Sequence, residues 1–524
     1  MRGNLLPGVD IDRLSPVADL IVAESTRPDN DLLVWANGRW TVTQFATTAR
    51  QCAAVLREKG IRPGDHVALV GLNSHWRLAW QYGIYWLGAV EVSVNSELKG
   101  PMLAHVLSDS APVLIMVDDA LRELVEEQDC SAPLEQLDTG PSSVCTAAEQ
   151  NAMDRDALEL PRSGLSTILY TSGTTGPSKG VMLPRAYFSK LAAVMGGVLA
   201  LEPGDTGYFV LPFFHVDAHI VLPACIQSGS SLSFNTRFSV RRFWSEIEQF
   251  EATWVFVIGS VLSAVATAPA PAPGTSTVTR FLGAPIPDDA YTFYEDGLGI
   301  PILSMFGQTE GDGPAFETME NRRRGSAGYA CAGFDLAVLD ESGNEVAAGM
   351  NGEIVYRPQY PDMVALGYLN RPQATVAAWA GLWFHTGDRG YLDNDGFLFY
   401  TGRFTDSLRR RGENISAYEL ESVVRSAPRV LDCAALGVVD ELGGEDEIKV
   451  LVSCAEGEKL DIEEFFAYCE EALPRYALPR YVEQVTSSEF VRSVGTGVIQ
   501  KHRLSKETSG DGIVDRATLD RATK

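Results

Sequence analysis

One stretch limits the fold more than any other: Ser166-Thr-Ile-Leu-Tyr-Thr-Ser-Gly-Thr-Thr-Gly-Pro-Ser-Lys-Gly180. Thr167 to Tyr170 is a short apolar run that predicts a buried strand, and a helical pattern begins near Ala186. From Thr171 to Gly180 the chain packs five hydroxyl side chains, three glycines and one lysine into ten residues, too dense a set for an ordinary surface turn. Glycine lets backbone N–H groups approach an anion closely, so Gly173 and Gly176 open the loop to phosphate oxygens. Thr171, Ser172, Thr174 and Thr175 add hydroxyl donors, and Lys179 adds charge. The physical reading is a loop that holds a polyphosphate. Its spacing does not fit a G-K-[ST] loop after Gly173.

The surrounding chain alternates short β-branched runs with longer helical patterns. His66 to Gly71 predicts a strand closed by a turn, Ser74 to Gly88 a helix with an aromatic-rich face, and Val90 to Val94 the next strand. Val113 to Val117 predicts another buried strand. This rhythm implies an α/β architecture with largely parallel sheets. The stretch Ala268-Pro-Ala-Pro-Ala-Pro-Gly274 is a surface loop, since proline excludes both helix interior and central strand. After Arg403 the chain becomes more charged, with strand signals at 436–440 and 448–453 and a helix from Asp461 to Leu473. The expected division is a core of residues 1–402, a hinge at 403–406, a lid domain at 407–508 and a polar, frayed helical tail at 509–524.

A chain of 524 residues with 45% apolar side chains has material for two or three domains. Its net charge of −26 argues against a nucleic acid or an anionic membrane as partner. Arg409-Arg-Arg411 is then either a local basic site or a solvated face. The eight cysteines are scattered without a C-x-x-C pair, so neither a disulfide framework nor a zinc cluster is expected. No apolar signal segment opens the chain, and no run of about 18 apolar residues spans a membrane. A soluble, cytoplasmic enzyme is the default expectation. Oligomeric state is left open, a dimer being compatible with the sequence.

Further motifs follow the loop in order: Leu211-Pro-Phe-Phe-His215, Gly283-Ala-Pro285, Phe306-Gly-Gln-Thr-Glu310, Gly352-Glu-Ile354, Thr386-Gly-Asp388 and the segment from Gly402 to Ile415. With the loop, they resemble the adenylate-forming superfamily of acyl-CoA synthetases, peptide-synthetase adenylation domains and beetle luciferases. The wording of Arg409 to Ser416 looks most like bacterial ligases of the carnitine-CoA type. The resemblance covers nearly the whole chain. It implies a large N-terminal domain of mixed and parallel sheets sandwiched by helices, plus a small mobile α+β C-terminal domain. It also implies activation of a small acid by ATP as its AMP anhydride.

By the same resemblance, residues 171–179 hold the β- and γ-phosphates, Thr309 binds the α-phosphate, and Glu310 with Thr171 ligates Mg²⁺. Gly283, Ala284 and Pro285 form one wall of the adenine slot. Phe306, continued by Gly307 and Gln308, forms the other; the family more often has Tyr at 306. Asp388 accepts the ribose hydroxyls, with Tyr400 beside the nucleotide, and Arg403 reaches ribose or phosphate. His215 lines or gates the acid pocket, and Gly412 lets a pantetheine arm pass if CoA is the acceptor. Arg475 and Arg480 are either CoA-phosphate contacts or surface arginines, and His385 is structural. His215, Asp217 and His219, at i, i+2 and i+4, would share one face of a strand as a polar pocket wall. They lack a fourth ligand for a metal site. The pocket is also drawn from 257–262 and 307–313, where Asp312 would suit an amine or a hydroxyl.

The chain departs from the family at two places. Val498 stands where the family carries its C-terminal catalytic lysine, and Thr405 stands at the hinge position. Removing one preorganised cation of that kind costs about 10²–10³ in rate. Three readings stay open. One is a carboxylate–CoA ligase using another cation, such as Arg492 or Lys501. The second is a variant that adenylates nitrite to diazotise an aryl amine in a natural-product pathway. The third is a nucleotide-binding pseudoenzyme.

Overall fold

The computed structural model describes residue 10 and residues 14–171, 177–403, 408–410, 413–439, 446–455, 457–490, 499, 501–510 and 512–522. They form two compact units. The first comprises Met1–Ser96, Leu107–Tyr170 and Gly180–Phe404; the second comprises Glu97–Val106, Thr171–Lys179 and Thr405–Lys524.

The first unit is built on two large sheets. In one, the strands His66–Val70, Val90–Val94, Leu114–Val117 and Leu165–Thr171 run parallel, in keeping with their burial on both faces. The expected helix after the first of these spans His75–Leu87. Ser74 caps its N-terminus by accepting from the Arg77 N–H, and Gly88 ends it at φ 72°. In the second sheet, Thr206–Phe209, Ser231–Phe234, Trp254–Val257, Arg280–Gly283 and Ile302–Gln308 are parallel. Gly311–Phe316 then folds back antiparallel on the last of them. A smaller antiparallel sheet contains Gly352–Pro358, Phe384–Leu392 and Leu398–Arg403. The Pro-rich segment is a loop, as read. Among the described residues no helix is long and apolar enough to cross a membrane.

Two local expectations change. His215 to His219 is not a strand: His215 is the N-cap of the helix Val216–Ser228. A strand not foreseen, Lys179–Pro184, precedes the helix Tyr187–Val198, so Lys179 opens a strand rather than closing a loop.

In the second unit, Asp432–Val439, Asp446–Ser453, Tyr481–Val485 and Ile513–Asp515 form one sheet. The helix Ile462–Ala472 starts at Asp461, whose side chain accepts from the Glu464 N–H. Residues 513–515 therefore belong to a sheet, and only Arg516–Ala522 is helical; the expected frayed tail has an edge strand within it. The Arg409–Arg411 run is not a uniform solvated face. Arg410 is 4% exposed and donates to the carbonyls of Tyr476 and Leu478, with Glu447 2.7 Å away. A buried guanidinium with several acceptors is a structural strut, and losing a partner would leave a charge stranded. Arg480 pairs with Asp515 at 3.4 Å, and Lys501 with Glu421 at 2.7 Å. All eight cysteines are free, and all but Cys130 are buried, as small core residues.

Candidate active site

The site grows from one hairpin. Ile302–Gln308 and Gly311–Phe316 pair with Gln308 opposite Gly311, which leaves Thr309 and Glu310 as the turn. Tyr187, from the helix Tyr187–Val198, fastens that turn. Its hydroxyl donates to the Thr309 carbonyl at 2.9 Å and accepts from the Asp312 N–H at 2.9 Å. Burial first, then the nearby Asp312, push the Tyr187 phenol well above its usual range, so it stays a donor. Glu310 is held from the other side: Tyr368 donates to its Oε1 at 2.7 Å, and its carbonyl accepts from the Ala365 N–H. The Tyr368 phenol is likewise raised, by burial and by Glu310.

The same strand also reaches Asp388 through Gln308. Gln308 donates from Nε2 to the Thr386 carbonyl at 2.9 Å and to Asp388 Oδ2 at 2.7 Å. Asp388 is buried within the strand Phe384–Leu392, so it is not a free turn residue. Tyr400, opposite Gly390 on the next strand, has its ring 6.4 Å from that of Phe306. Gly283 pairs with Ser304 one strand over and leads into Ala284–Pro285, a cis peptide. A Cβ on Gly283 would fall 2.0 Å from the Val257 carbonyl oxygen, so only glycine fits this crossing. Arg403 ends its strand opposite Asp388 in the backbone ladder.

The first unit thus brings Gly283 to Pro285, Phe306 to Glu310, Asp388 and Tyr400 into one neighbourhood of adjacent strands. Thr171 ends one strand and Lys179 begins another, and both group with the second unit. Ser172, Gly173, Thr174, Thr175, Gly176, Thr405, Gly412, Arg492 and Val498 lie outside the described residues, as does the Arg403 side chain. His385 sits 2.8 Å from Glu353, the structural role expected of it.

His219 corrects the pocket-wall reading. Its side chain is fully buried, Nδ1 facing the His215 carbonyl at 2.9 Å and Nε2 facing Glu91 Oε2 at 3.0 Å. It belongs to a core network in which Glu91 also accepts from Tyr85 at 2.7 Å and Gln81 at 3.0 Å, with Arg77 3.8 Å away. Among the described residues no cluster of metal-binding side chains occurs. Burial works to raise the Glu91 carboxyl, but His219 and Arg77 outweigh it and hold it down at about 2. Asp312 is the opposite case: burial and then Asp217 raise it well above the ordinary carboxyl range.

An AMP-binding enzyme model matches residues 22–369, and the corresponding C-terminal domain model matches residues 419–493. The chain belongs to the AMP-binding, adenylate-forming enzyme family. This AMP-binding enzyme is 30% identical over 484 residues to a long-chain-fatty-acid–CoA ligase of Mycobacterium tuberculosis, covering 90% of this chain and 93% of the relative. It is 28% identical over 505 residues to the crotonobetaine/carnitine–CoA ligase of Salmonella paratyphi C, covering 90% and 96%. Among solved structures it shares its fold with o-succinylbenzoate CoA synthetase of Bacillus subtilis, a double mutant with bound product analogue (TM-score 0.80, 22% identity, 93% and 97% coverage). The amide bond synthetase McbA of Marinactinospora thermotolerans is similar in the same sense (TM-score 0.79, 21% identity, 94% and 99%).

Tyr187, Tyr368 and Glu91 were not foreseen. Tyr368 lies 58 residues from Glu310 and Tyr187 lies 122 from Thr309, so no local pattern in the chain announces them.

Proposed function

We propose that this chain uses ATP to adenylate a small carboxylic acid, releasing pyrophosphate, and passes the acyl group to CoA. One observation carries the reading. The Thr309–Glu310 turn directly follows Gln308, whose side chain holds Asp388 at 2.7 Å, and this juxtaposition supports a phosphate-binding turn next to a ribose-binding carboxylate. In the reaction a carboxylate oxygen attacks the α-phosphorus in line, and the bond to pyrophosphate breaks. The CoA thiolate then attacks the acyl carbon and AMP leaves. The chain's part is positioning and neutralisation. Thr309 donates to the α-phosphate, Asp388 accepts from the ribose hydroxyls, and Arg403 is assigned to the ribose or the phosphate.

Glu310 fits a magnesium ion. Tyr368 steadies one of its oxygens, and a single carboxylate is the kind of protein ligand that magnesium combines with phosphate oxygens and water. Bound there with ATP, the ion would neutralise charge on the phosphates. The similarity to two acid–CoA ligases supports the CoA acceptor.

Val498 favours a second reading, adenylation of nitrite followed by diazotisation of an aryl amine. With no lysine at that position, an ordinary carboxylate loses its bridging cation. A screen of pyrophosphate release with carboxylates and with nitrite, each with and without CoA, separates the two. Carboxylate- and CoA-dependent AMP formation supports the ligase. AMP formation only with nitrite, with a diazo absorbance once an aryl amine is added, supports the variant. ATP binding without pyrophosphate release under any condition sinks both. Val498→Lys should raise carboxylate-dependent release by about 10²-fold; unchanged release removes the argument from this position.

A further inference from the structure

Residues 365–369 form a strap beside the Thr309–Glu310 turn, and none of the sequence motifs includes it. On one side the strap grips Glu310 twice. The Ala365 N–H donates to the Glu310 carbonyl at 2.7 Å, and the Tyr368 hydroxyl donates to Glu310 Oε1 at 2.7 Å. On the other side it pairs with the strand Lys179–Pro184. Gly367 lies opposite Met182 and Tyr368 opposite Val181. The Leu366 and Leu369 N–H groups donate to the Met182 and Gly180 carbonyls, each at 2.8 Å. Backbone and side chain of Glu310 are thus tied to a rigid sheet edge rather than to a free loop.

The strap is itself fixed in one geometry. Gly367 has φ 136°, a conformation that favours glycine, and a Cβ there would fall 2.6 Å from Thr375 Cγ2. The Thr375 hydroxyl, on the helix Pro372–Ala378, accepts from the Tyr368 N–H at 2.9 Å and donates to the Arg371 carbonyl at 3.1 Å. A carboxylate turns freely about its last bond until something holds one oxygen. A phenol hydrogen bond to Oε1 stops that rotation and so sets the direction of Oε2. A partner of this kind behind a metal ligand commonly changes metal affinity by about 10- to 100-fold.

We propose that Tyr368 is a positioning residue for magnesium: through Glu310 it sets how tightly the ion is held together with ATP. The inference rests on the reading that Glu310 ligates the ion, and it adds a residue that never touches the metal.

The test is calorimetric titration of the full chain with ATP, once in excess MgCl₂ and once in EDTA, with no acid present. The ratio of the two affinities is the magnesium gain. Tyr368→Phe should shrink that gain by about 10-fold and leave the affinity in EDTA unchanged, which also shows that the variant is folded. Tyr356→Phe is the matched control. Its hydroxyl lies against the same hairpin, 2.5 Å from where a Cβ on Gly311 would fall, and it has no hydrogen-bond partner among the described residues. Its loss should leave the gain as it is. Glu310→Gln should remove the gain by itself, and Tyr368→Phe added to it should cost nothing further. A parent without a gain, or a gain that Glu310→Gln leaves intact, sinks the metal reading and the proposal with it. A gain lost in Glu310→Gln but kept in Tyr368→Phe overturns the proposal and leaves the metal reading standing. Equal weakening in MgCl₂ and EDTA, or the same loss in Tyr356→Phe, makes Tyr368 a structural residue only and overturns the proposal as well.

Discussion

Glu91 and Asp312 are both carboxyl groups buried in the first unit, and they keep opposite company. Glu91 accepts from Tyr85, Gln81 and His219, with Arg77 behind it. Asp312 has a neighbouring acid and an oxygen with no hydrogen-bond partner among the described residues. Burial penalises both charges alike, so the difference comes from what surrounds them. A buried carboxylate that the fold satisfies is part of the scaffold. One that the fold leaves unsatisfied, beside a strand carrying site residues, is available to a ligand. Glu310 stands between the two, with Tyr368 on one oxygen.

Substitutions can break that comparison. The largest effect is expected at Glu91→Gln, which strands the buried Arg77 without its counter-charge. Unfolding free energy should fall by about 3–5 kcal/mol in denaturant titration. A loss below about 1 kcal/mol would place Glu91 outside the scaffold. Next comes Glu310→Gln, expected to lower ATP turnover by about 10²–10³ and to weaken its Mg²⁺ dependence, with little effect on stability. Turnover equal to the parent's removes Glu310 from the metal role.

The acid limb of the stability profile sharpens the contrast. The Glu91 carboxyl lies at about 2 in the folded chain against 4.5 ordinarily. A depressed value stabilises above the unfolded pKa, and the gain is lost as pH falls from 4.5 towards 2. The parent should therefore lose on the order of 3 kcal/mol more than Glu91→Gln across that window. Asp312→Asn is expected to move the other way, raising stability by about 1–2 kcal/mol because it relieves an unmatched buried acid. A clear loss would mean that the fold does satisfy it. The smallest effect is at Asp31→Asn, a half-buried carboxylate whose partner Arg39 sits in solvent: under about 1 kcal/mol, a calibration for a surface ion pair.

Much of the fold was legible because its signals are local. Apolar β-branched runs marked the parallel strands, and Ser74 and Gly88 marked a helix's ends from the residues themselves. His215 to His219 misled because an i, i+2, i+4 polar spacing reads as one face of a strand, while the segment is an N-cap and the start of a helix. The terminal strand Ile513–Asp515 was hidden in a polar tail because an edge strand needs only one partner and little apolar surface. In the site, Phe306 to Glu310 and Asp388 could be named from short motifs, but the tyrosines that fix the turn could not.

The sequence by itself determined the family, the nucleotide-handling motifs and the class of architecture. Each is written in contiguous residues whose backbone chemistry works at short range. Only the tertiary structure decided which buried acids are matched. Glu91 meets His219 across 128 residues of chain, while Asp312 is buried and feels the charge of Asp217 from another element. In a low-dielectric interior those long-range neighbours, not the residue type, set whether a carboxyl holds the fold together or waits for a ligand.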